Sequence, residues 1–348
     1  MKHAPYITQP PKLTPSHGRT FDTFSVMPKR DIVVIGASAG GVEALQELVH
    51  GLPADYPGTI FIVMHTGPGS VMPEILSRAG KVAAISAEHN VRYVPNHIYV
   101  APPNRHLVIN DGVMQLDAGA RENGSRPAID PLFRSVARTH RGRVVGVILT
   151  GSLDDGSAGL FAVKARGGIA VVQDPAEAAA PDMPLNAMRN VQPDYCIPVS
   201  EIGPLLVKLA AQEASNGNSP DEISAELEQF VDPVQLIHTP PPNDTQISLS
   251  CPECNGSLYE QRDGTAVNFR CHVGHAFSPA TLSESHKEAL ERALWTAVRT
   301  LNERVTMHRQ FLRRQRNPGE EFLFKRFEES VGAAERDVEL LREIIARI

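Results

Sequence analysis

Asp31 to Gly41 reads DIVVIGASAGG, and the fold turns on how this stretch is read. Ile32 to Ile35 is an unbroken apolar run. Such a run suits a strand of a parallel sheet, which is covered on both faces and needs no polar alternation. Gly36, Ser38, Gly40 and Gly41 follow, then the amphipathic run Val42 to His50. The chain thus passes from a strand through a tight turn into a helix, with Ser38 at the crest. Three chemistries use such a turn. A dinucleotide site lets a pyrophosphate approach the helix N-terminus, but the spacing is not G-x-G-x-x-G and the next apolar run, Ile60 to Met64, ends on His65 rather than an acid. A P-loop needs G-K-[ST], which does not occur here. Gly36-Ala37-Ser38-Ala39-Gly40 does fit G-x-S-x-G, the turn on which a strained serine presents its hydroxyl. A plain strand-to-helix turn with Ser38 as a cap remains the alternative.

Working outward, apolar strand runs at 31–36, 59–65, 82–86, 144–150, 168–173 and 194–198 alternate with helical patterns at 41–50, 71–79, 130–140, 156–166, 184–190 and 201–213. That alternation predicts an α/β domain, a doubly wound and mostly parallel sheet over 31–212. Residues 97–101, 106–110 and 113–116, with Asn110-Asp111-Gly112 as a turn, read as an antiparallel insertion. Functional groups of open α/β sheets gather at the carboxyl ends of the strands. There stand Ser38, then His65, then Asp154 and Asp155 in the run Gly151 to Gly156. A serine hydroxyl is a poor nucleophile until an imidazole takes its proton, and the imidazole needs a carboxylate to fix its tautomer. The chain order Ser, His, Asp differs from the Ser, Asp, His of α/β-hydrolases. The bland readings are a solvent-facing histidine and two acids that cap the next helix.

With 348 residues the chain is long enough for two domains. A net charge of −6 gives no general attraction to nucleic acid or membrane. No apolar run reaches the roughly 18 residues of a membrane span, and the N-terminus lacks a signal core. Four cysteines, three of them between Cys251 and Cys271, suit a metal site in a reducing compartment, the cytoplasm, better than a disulfide framework. Cys196 stands apart and reads as buried. Residues 1–30, with five prolines, read as a disordered lead-in in which Met27 is a second candidate start.

GASAGG at 36–41, VMHTGPG at 63–69, RPAID at 126–130 and LTGSLDDGSAG at 149–159 resemble the catalytic domain of chemotaxis protein-glutamate methylesterases of the CheB type. KARGGIAVVQDP at 164–175 and MPLNAM at 183–188 extend the resemblance across about 31–212. It implies hydrolysis of a glutamate γ-methyl ester on a chemoreceptor or related signalling protein, with glutamine deamidation as a related activity and no cofactor for catalysis. Carried over by motif position, it makes Ser38 the nucleophile, His65 the general base and acid, and Asp155, directly before Gly156, the orienting acid, with Asp154 the weaker candidate. Backbone amides of Ala39 and Ser152 are the candidates for the oxyanion hole. The best-known members carry an N-terminal phospho-receiver domain. Residues 1–30 are too short to hold one, which marks a stand-alone form. Ser152 stands where the chemotaxis form has methionine.

Residues 213–248 shift to Asn, Ser, Asp, Pro and Gln and read as a linker, with one short helix around 221–230. Then come CPEC at 251–254 and RCHVGH at 270–275. Two cysteines two residues apart form a chelating turn, and a second ligand pair further on closes a tetrahedral site. The set is Cys251, Cys254, Cys271 and His275; His272 ranks below His275 because adjacent side chains seldom converge on one ion. With Asp263-Gly264 as a hairpin turn, 249–280 reads as a ribbon holding structural zinc. Over 281–348, Leu290, Leu294, Ala297, Leu301, Val305, His308 and Leu312 keep a four-three spacing, as do Phe327, Val331, Ala334, Val338, Leu341, Ile345 and Ile348. Asn317-Pro318-Gly319 divides the two, giving a helical hairpin or coiled coil. The basic cluster Arg313, Arg314 and Arg316 suits a helix C-terminus. Ribbon and hairpin also resemble the tail of stand-alone methylesterases, with docking, gating or self-association as its uses.

Two functions compete on these residues. One is a serine ester hydrolase acting on a methylated receptor. The other is a regulatory protein that keeps the fold and uses its tail to bind a kinase or methyltransferase. The intact Ser-His-Asp set favours the enzyme. Nucleic-acid binding through the ribbon ranks last, since it offers Tyr259 and Phe269 but few cations.

Overall fold

The structure is a computed structural model, and it describes residues 28–67, 69–214, 245–263, 266–313 and 321–348. Met27, the linker helix around 221–230, the Asn317-Pro318-Gly319 break and Arg314 to Arg316 lie outside the described residues. In the first unit the elements run β1 Ile32–Ala37, α1 Gly41–His50, β2 Thr59–Met64, α2 Met72–Ala79, β3 Ala83–Ser86, β4 Val91–Arg92 and β5 His97–Val100. Next come β6 His106–Asn110, β7 Val113–Asp117, α3 Ile129–His140, β8 Val144–Ile148 and α4 Ser157–Ala165. The unit ends with β9 Ile169–Gln173, α5 Asp182–Asn190, β10 Tyr195–Ile197 and α6 Val199–Ala210.

The main sheet has seven parallel strands in the order β10-β9-β8-β1-β2-β5-β3. Each residue of β1 is buried, as a strand covered on both faces requires. Its alternate residues serve different cores. Val33 and Ile35 pack with Leu45, Leu76 and Leu206 of α1, α2 and α6. Ile32 and Val34 pack with Phe133, Leu160 and Met183 of α3, α4 and α5. The sheet is therefore wound on both faces. Strand order reverses beside β1, where β2 lies on one side and β8 on the other, and this is where an open α/β sheet opens a crevice.

Two sequence expectations change. Residues 97–101 are not part of the antiparallel insertion: β5 joins the main sheet, parallel to both β2 and β3. Its Ile98, Tyr99 and Val100 are buried, so this short apolar run behaves as the other core strands do. The insertion is β4, β6 and β7 alone. Cys196 is exposed rather than buried, because β10 is a three-residue edge strand. Part of the lead-in is also fixed: Arg30 Nη1 donates to Gly142 O at 2.9 Å, and Arg30 N donates to Gln212 O at 3.2 Å.

The second unit opens with a four-stranded sheet in the order β11 Thr245–Ser250, β12 Ser257–Asp263, β13 Ala266–Cys271 and β14 Ala276–Phe277, paired antiparallel. Its first strand takes in residues the sequence assigns to the linker. Asp263 pairs with Ala266 across the hairpin end; Gly264 lies outside the described residues. Two helices follow, α7 Pro279–Leu312 and α8 Glu321–Ile345, and pack together. Val298, Val305 and His308 of α7 and Phe324, Ala334 and Val338 of α8 are buried. Phe311 lies 4.5 Å from Phe327 between ring centroids, and Arg309 pairs with Glu335. Leu290 shares the predicted spacing yet is 51% exposed. Helix α7 has 34 residues against 25 in α8, so its first turns outrun the partner. Among the described residues no helix is long and apolar enough to cross a membrane.

Gly36 shows how tightly the site is built into this fold. A Cβ there would lie 2.5 Å from Ile129 Cγ2 and 2.8 Å from its Cδ1. Ile129 is β-branched and cannot swing away freely. Gly36→Ala is expected to cost about 1–3 kcal/mol by overpacking, read as a lower urea midpoint with unchanged slope. A midpoint equal to wild type would show that helix α3 can yield.

Candidate active site and candidate metal centre

The carboxyl ends of β1, β2 and β8 bring the three predicted residues together. Ser38 follows β1, and its turn is held by the neighbouring strand end. Ser38 N donates to Thr150 O at 3.0 Å, and Thr150 Oγ1 donates to Ala39 O at 2.9 Å while accepting from Ala180 N at 2.8 Å. The left-handed residue of the turn is Gly40, φ 73°, and Ser38 itself has no positive φ, so the strain expected at the serine is absent. Gly151 is required by close approach: a Cβ there would sit 2.8 Å from Ser38 Cβ. The loop after it carries strain elsewhere, at Leu153 with φ 64°.

His65 leaves the end of β2 with its imidazole between the other two groups. Its Nδ1 is 3.2 Å from Ser38 Oγ and its Nε2 is 2.8 Å from Asp155 Oδ2. The Nε2–H tautomer satisfies both contacts, donating to the carboxylate and accepting from the hydroxyl. The serine thus faces Nδ1, the reverse of the chymotrypsin-type arrangement, with the same proton path.

Asp155 and Asp154 are separated by geometry. Asp155 is 3% exposed and accepts four hydrogen bonds: His65 Nε2 and Ile129 N on Oδ2, Asn123 Nδ2 and Asp130 N on Oδ1. Ile129 and Asp130 open helix α3, whose N-cap, Ala128, has no capping side chain. Asp155 therefore caps α3 from another part of the chain, where backbone amides and the helix dipole favour an anion. Burial pushes its pKa up, but the hydrogen bond and charge of His65 and the Ile129 and Asn123 donors outweigh that and hold it below the usual carboxylate range. Asp154 faces away from His65. Its Oδ1 accepts from Ser278 Oγ at 2.6 Å and Thr281 Oγ1 at 3.0 Å, at the start of α7.

Two residues with no role in the sequence reading complete the network. Asp130 Oδ1 accepts from Gly159 N at 2.6 Å, in the first turn of α4, and its Oδ2 accepts from Asn123 Nδ2 at 3.0 Å. RPAID was visible as a motif, but a capping bond to a helix 29 residues away leaves no local signal. Asn123 sits in a loop between unrelated elements and had no signal at all. The two buried acids are close enough for their charges to oppose. Burial, then the Asp155 charge, raise the Asp130 pKa to about 8. The ordinary value is 3.8, so between the two the folded state holds a proton the unfolded state has lost. This group therefore removes stability as pH rises through that window. Denaturant midpoints at about pH 5 and about pH 8 should fall more for wild type than for Asp130→Asn, which has nothing to titrate. Equal losses would place the Asp130 proton elsewhere.

In the second unit Cys251, Cys254, Cys271 and His275 converge, with donor atoms within 4.8 Å of one another. Cys254 Sγ is 3.6 Å from Cys271 Sγ, and His275 Nδ1 is 3.5 Å from Cys271 Sγ and 3.7 Å from Cys251 Sγ. A tetrahedral ion with metal–sulfur bonds of ~2.3 Å places its donors at about these separations. These four residues could hold a metal ion. His272 lies outside the cluster, over Gly256, where a Cβ would meet its ring at 2.4 Å.

A doubly wound parallel sheet with a serine, an imidazole and a buried carboxylate in hydrogen-bonded series at its switch point defines a serine hydrolase-type site. Residues 33–206 match the family model for CheB methylesterase, and the chain belongs to that family. A Leptospira interrogans protein is 37% identical over 182 residues, 51% of this chain and 94% of that protein. The protein-glutamate methylesterase/protein-glutamine glutaminase 2 of Pseudomonas aeruginosa is 35% identical over 190 residues, 53% of this chain and 54% of that protein, so the chain spans about half its length. The crystal structure of the Thermotoga maritima CheB methylesterase catalytic domain matches with a TM-score of 0.50 at 31% identity, covering 51% of this chain and 98% of that one.

Proposed function

We propose that this protein is a protein-glutamate methylesterase that hydrolyses glutamate γ-methyl esters on a chemoreceptor or related signalling protein, with glutamine deamidation as a second activity. The observation that carries this is the series Ser38 Oγ, His65 Nδ1, His65 Nε2, Asp155 Oδ2, with links of 3.2 and 2.8 Å. In this reading Ser38 Oγ attacks the ester carbonyl as its proton passes to His65 Nδ1. The tetrahedral intermediate expels methanol, which takes that proton. Water, activated by the same nitrogen, then cleaves the acyl-enzyme to free glutamate and restore Ser38. Asp155 stays ionised, as its lowered pKa requires, and stabilises the imidazolium. Ala39 and Ser152 are the candidate oxyanion donors: both are exposed at the site, and neither amide donates to another described residue. Ser38 N cannot serve, being committed to Thr150 O.

The Cys3His cluster fits structural zinc. Thiolates and an imidazole are the donors zinc prefers, and four protein ligands leave no open position for catalysis. Burial, helped by the neighbouring thiols, pushes the Cys251 thiol up to about 12, so a bound cation is what would hold it as thiolate. We read 245–277 as a zinc ribbon, the helices after it as a coiled-coil hairpin for self-association or docking of a pathway kinase or methyltransferase, and the whole as cytoplasmic.

Methanol release from a methylated receptor-helix preparation tests the activity. Wild type should release it, and Ser38→Ala should lose at least a thousandfold in rate while still binding the preparation. Release by the variant at a comparable rate would remove Ser38 from the chemistry. For the metal centre, elemental analysis of the purified full chain should find one zinc per chain, and Cys251→Ser should lower both that content and the melting temperature. A wild-type chain free of zinc would refute the ribbon reading.

A further inference from the structure

We infer that Asn123 is a positioning residue for the triad and that the C-terminal unit, docked on Asn123, holds the catalytic carboxylate in place. This rests on the esterase reading of Ser38, His65 and Asp155, and extends it to a group outside them.

The loop before α3 is one place where the two units meet. Asn123 N donates to Ala276 O at 2.8 Å, Ala276 N donates to Arg121 O at 3.2 Å, and Glu122 forms a parallel bridge with Ala276. Half-buried between them, Glu122 takes Arg134 of α3 on one oxygen at 2.6 Å and Arg270 of β13 on the other at 3.3 Å. Burial opposes its charge, but the two guanidinium groups and His106 hold its pKa down to about 2. The ion pair therefore persists across the working pH range and fixes the register of the loop against the tail.

Within that frame the Asn123 amide has one consistent orientation. Its Oδ1 accepts from Ser278 N at 3.0 Å, and its Nδ2 donates to both Asp155 Oδ1 and Asp130 Oδ2 at 3.0 Å. A primary amide has two N–H groups, and both are spent on the two adjacent buried acids. Without these donors Asp155 would lose one of its four partners and Asp130 one of its two. Without Ser278 N the amide oxygen would lose the tie that aims those donors. A backbone N–H of the tail thus reaches the triad acid through one side chain. The same contact places Ser278 and Thr281 on Asp154, next in sequence to Asp155. By this geometry the tail supports catalysis and does not shut the site.

The test uses the full chain and a fluorophosphonate probe, which reads serine activation without reference to the natural substrate. Ser38 Oγ bonds to phosphorus, fluoride leaves, and His65 takes the proton. Asn123→Ala should lower the maximal labelling rate at least tenfold with the probe's binding constant changed less than twofold; a merely structural loss would lower the fraction of labelled protein, not the rate of the folded part. The tail is tested by two substitutions at one position. Ser278 has φ −71° and precedes Pro279, so proline fits its backbone. Ser278→Ala removes the hydroxyl alone, and Ser278→Pro removes the hydroxyl and the N–H. The proline variant should label at least threefold more slowly than the alanine variant, again with unchanged binding. Wild-type labelling in Asn123→Ala would overturn the inference, and equal rates at position 278, or faster labelling in Ser278→Pro, would overturn the role of the tail. Labelling that depends on Asn123 in a protein that releases no methanol would support this inference while the substrate reading fell.

Discussion

A single buried carboxylate holds this molecule to its geometry. Asp155 is almost without solvent, and an isolated carboxylate there would be driven to protonate. It stays charged because four donors reach it from three places: the imidazole after β2, two amides opening α3, and the side-chain amide of Asn123 in the loop before α3. These places are apart in the chain, so the charge is fully satisfied only when they are assembled. The acid proposed for the triad is in this sense also a folding constraint. It caps a helix that has no capping residue of its own, while Asp130 of that helix reaches back to the first turn of α4, which begins two residues after Asp155.

The reciprocal capping explains why two acids stand side by side where one would serve the chemistry. Two full charges at this depth would repel with little water to screen them. Raising one pKa and lowering the other resolves the conflict: Asp130 retains its proton and Asp155 keeps its charge. The pair then presents one negative charge to His65. The helix dipole favours it on Asp155, and the bond to His65 places it where an imidazolium develops.

These features divide by how local they are in the chain. The strand and helix of the serine turn were readable because an unbroken apolar run, a glycine pair and an amphipathic run each act within a few residues. The Cys3His cluster was readable because chelation imposes a fixed spacing. The strand at 97–100 was misplaced because a short apolar run beside two hairpin strands looks the same whether it joins them or the main sheet, and only the burial of both faces decides. Cys196 was misplaced because residue type reports an average tendency, while edge position decides exposure. Asp154 and Asp155 could be told apart only by the family motif, since adjacent residues of one type differ in direction and not in chemistry. Asn123 was invisible because its partners, Asp130, Asp155 and Ser278, are brought together only by the tertiary fold.

That last case bears on how a tail can matter to a site it does not line. A loop amide beside the triad could be oriented by water, at the cost of a solvent path to a buried charge. Here the tail supplies a backbone N–H instead, from a residue whose own hydroxyl caps the helix that follows and bonds to Asp154. Strand end, helix cap and the hydrogen-bond network of Asp155 therefore share one residue, Ser278. Any disturbance of the four-stranded sheet that moves the start of α7 moves a donor that stands two hydrogen bonds from Asp155. The Cys3His cluster is part of the same mechanical path, because Cys271 and His275 flank the turn that delivers Ala276 to Arg121 and Asn123.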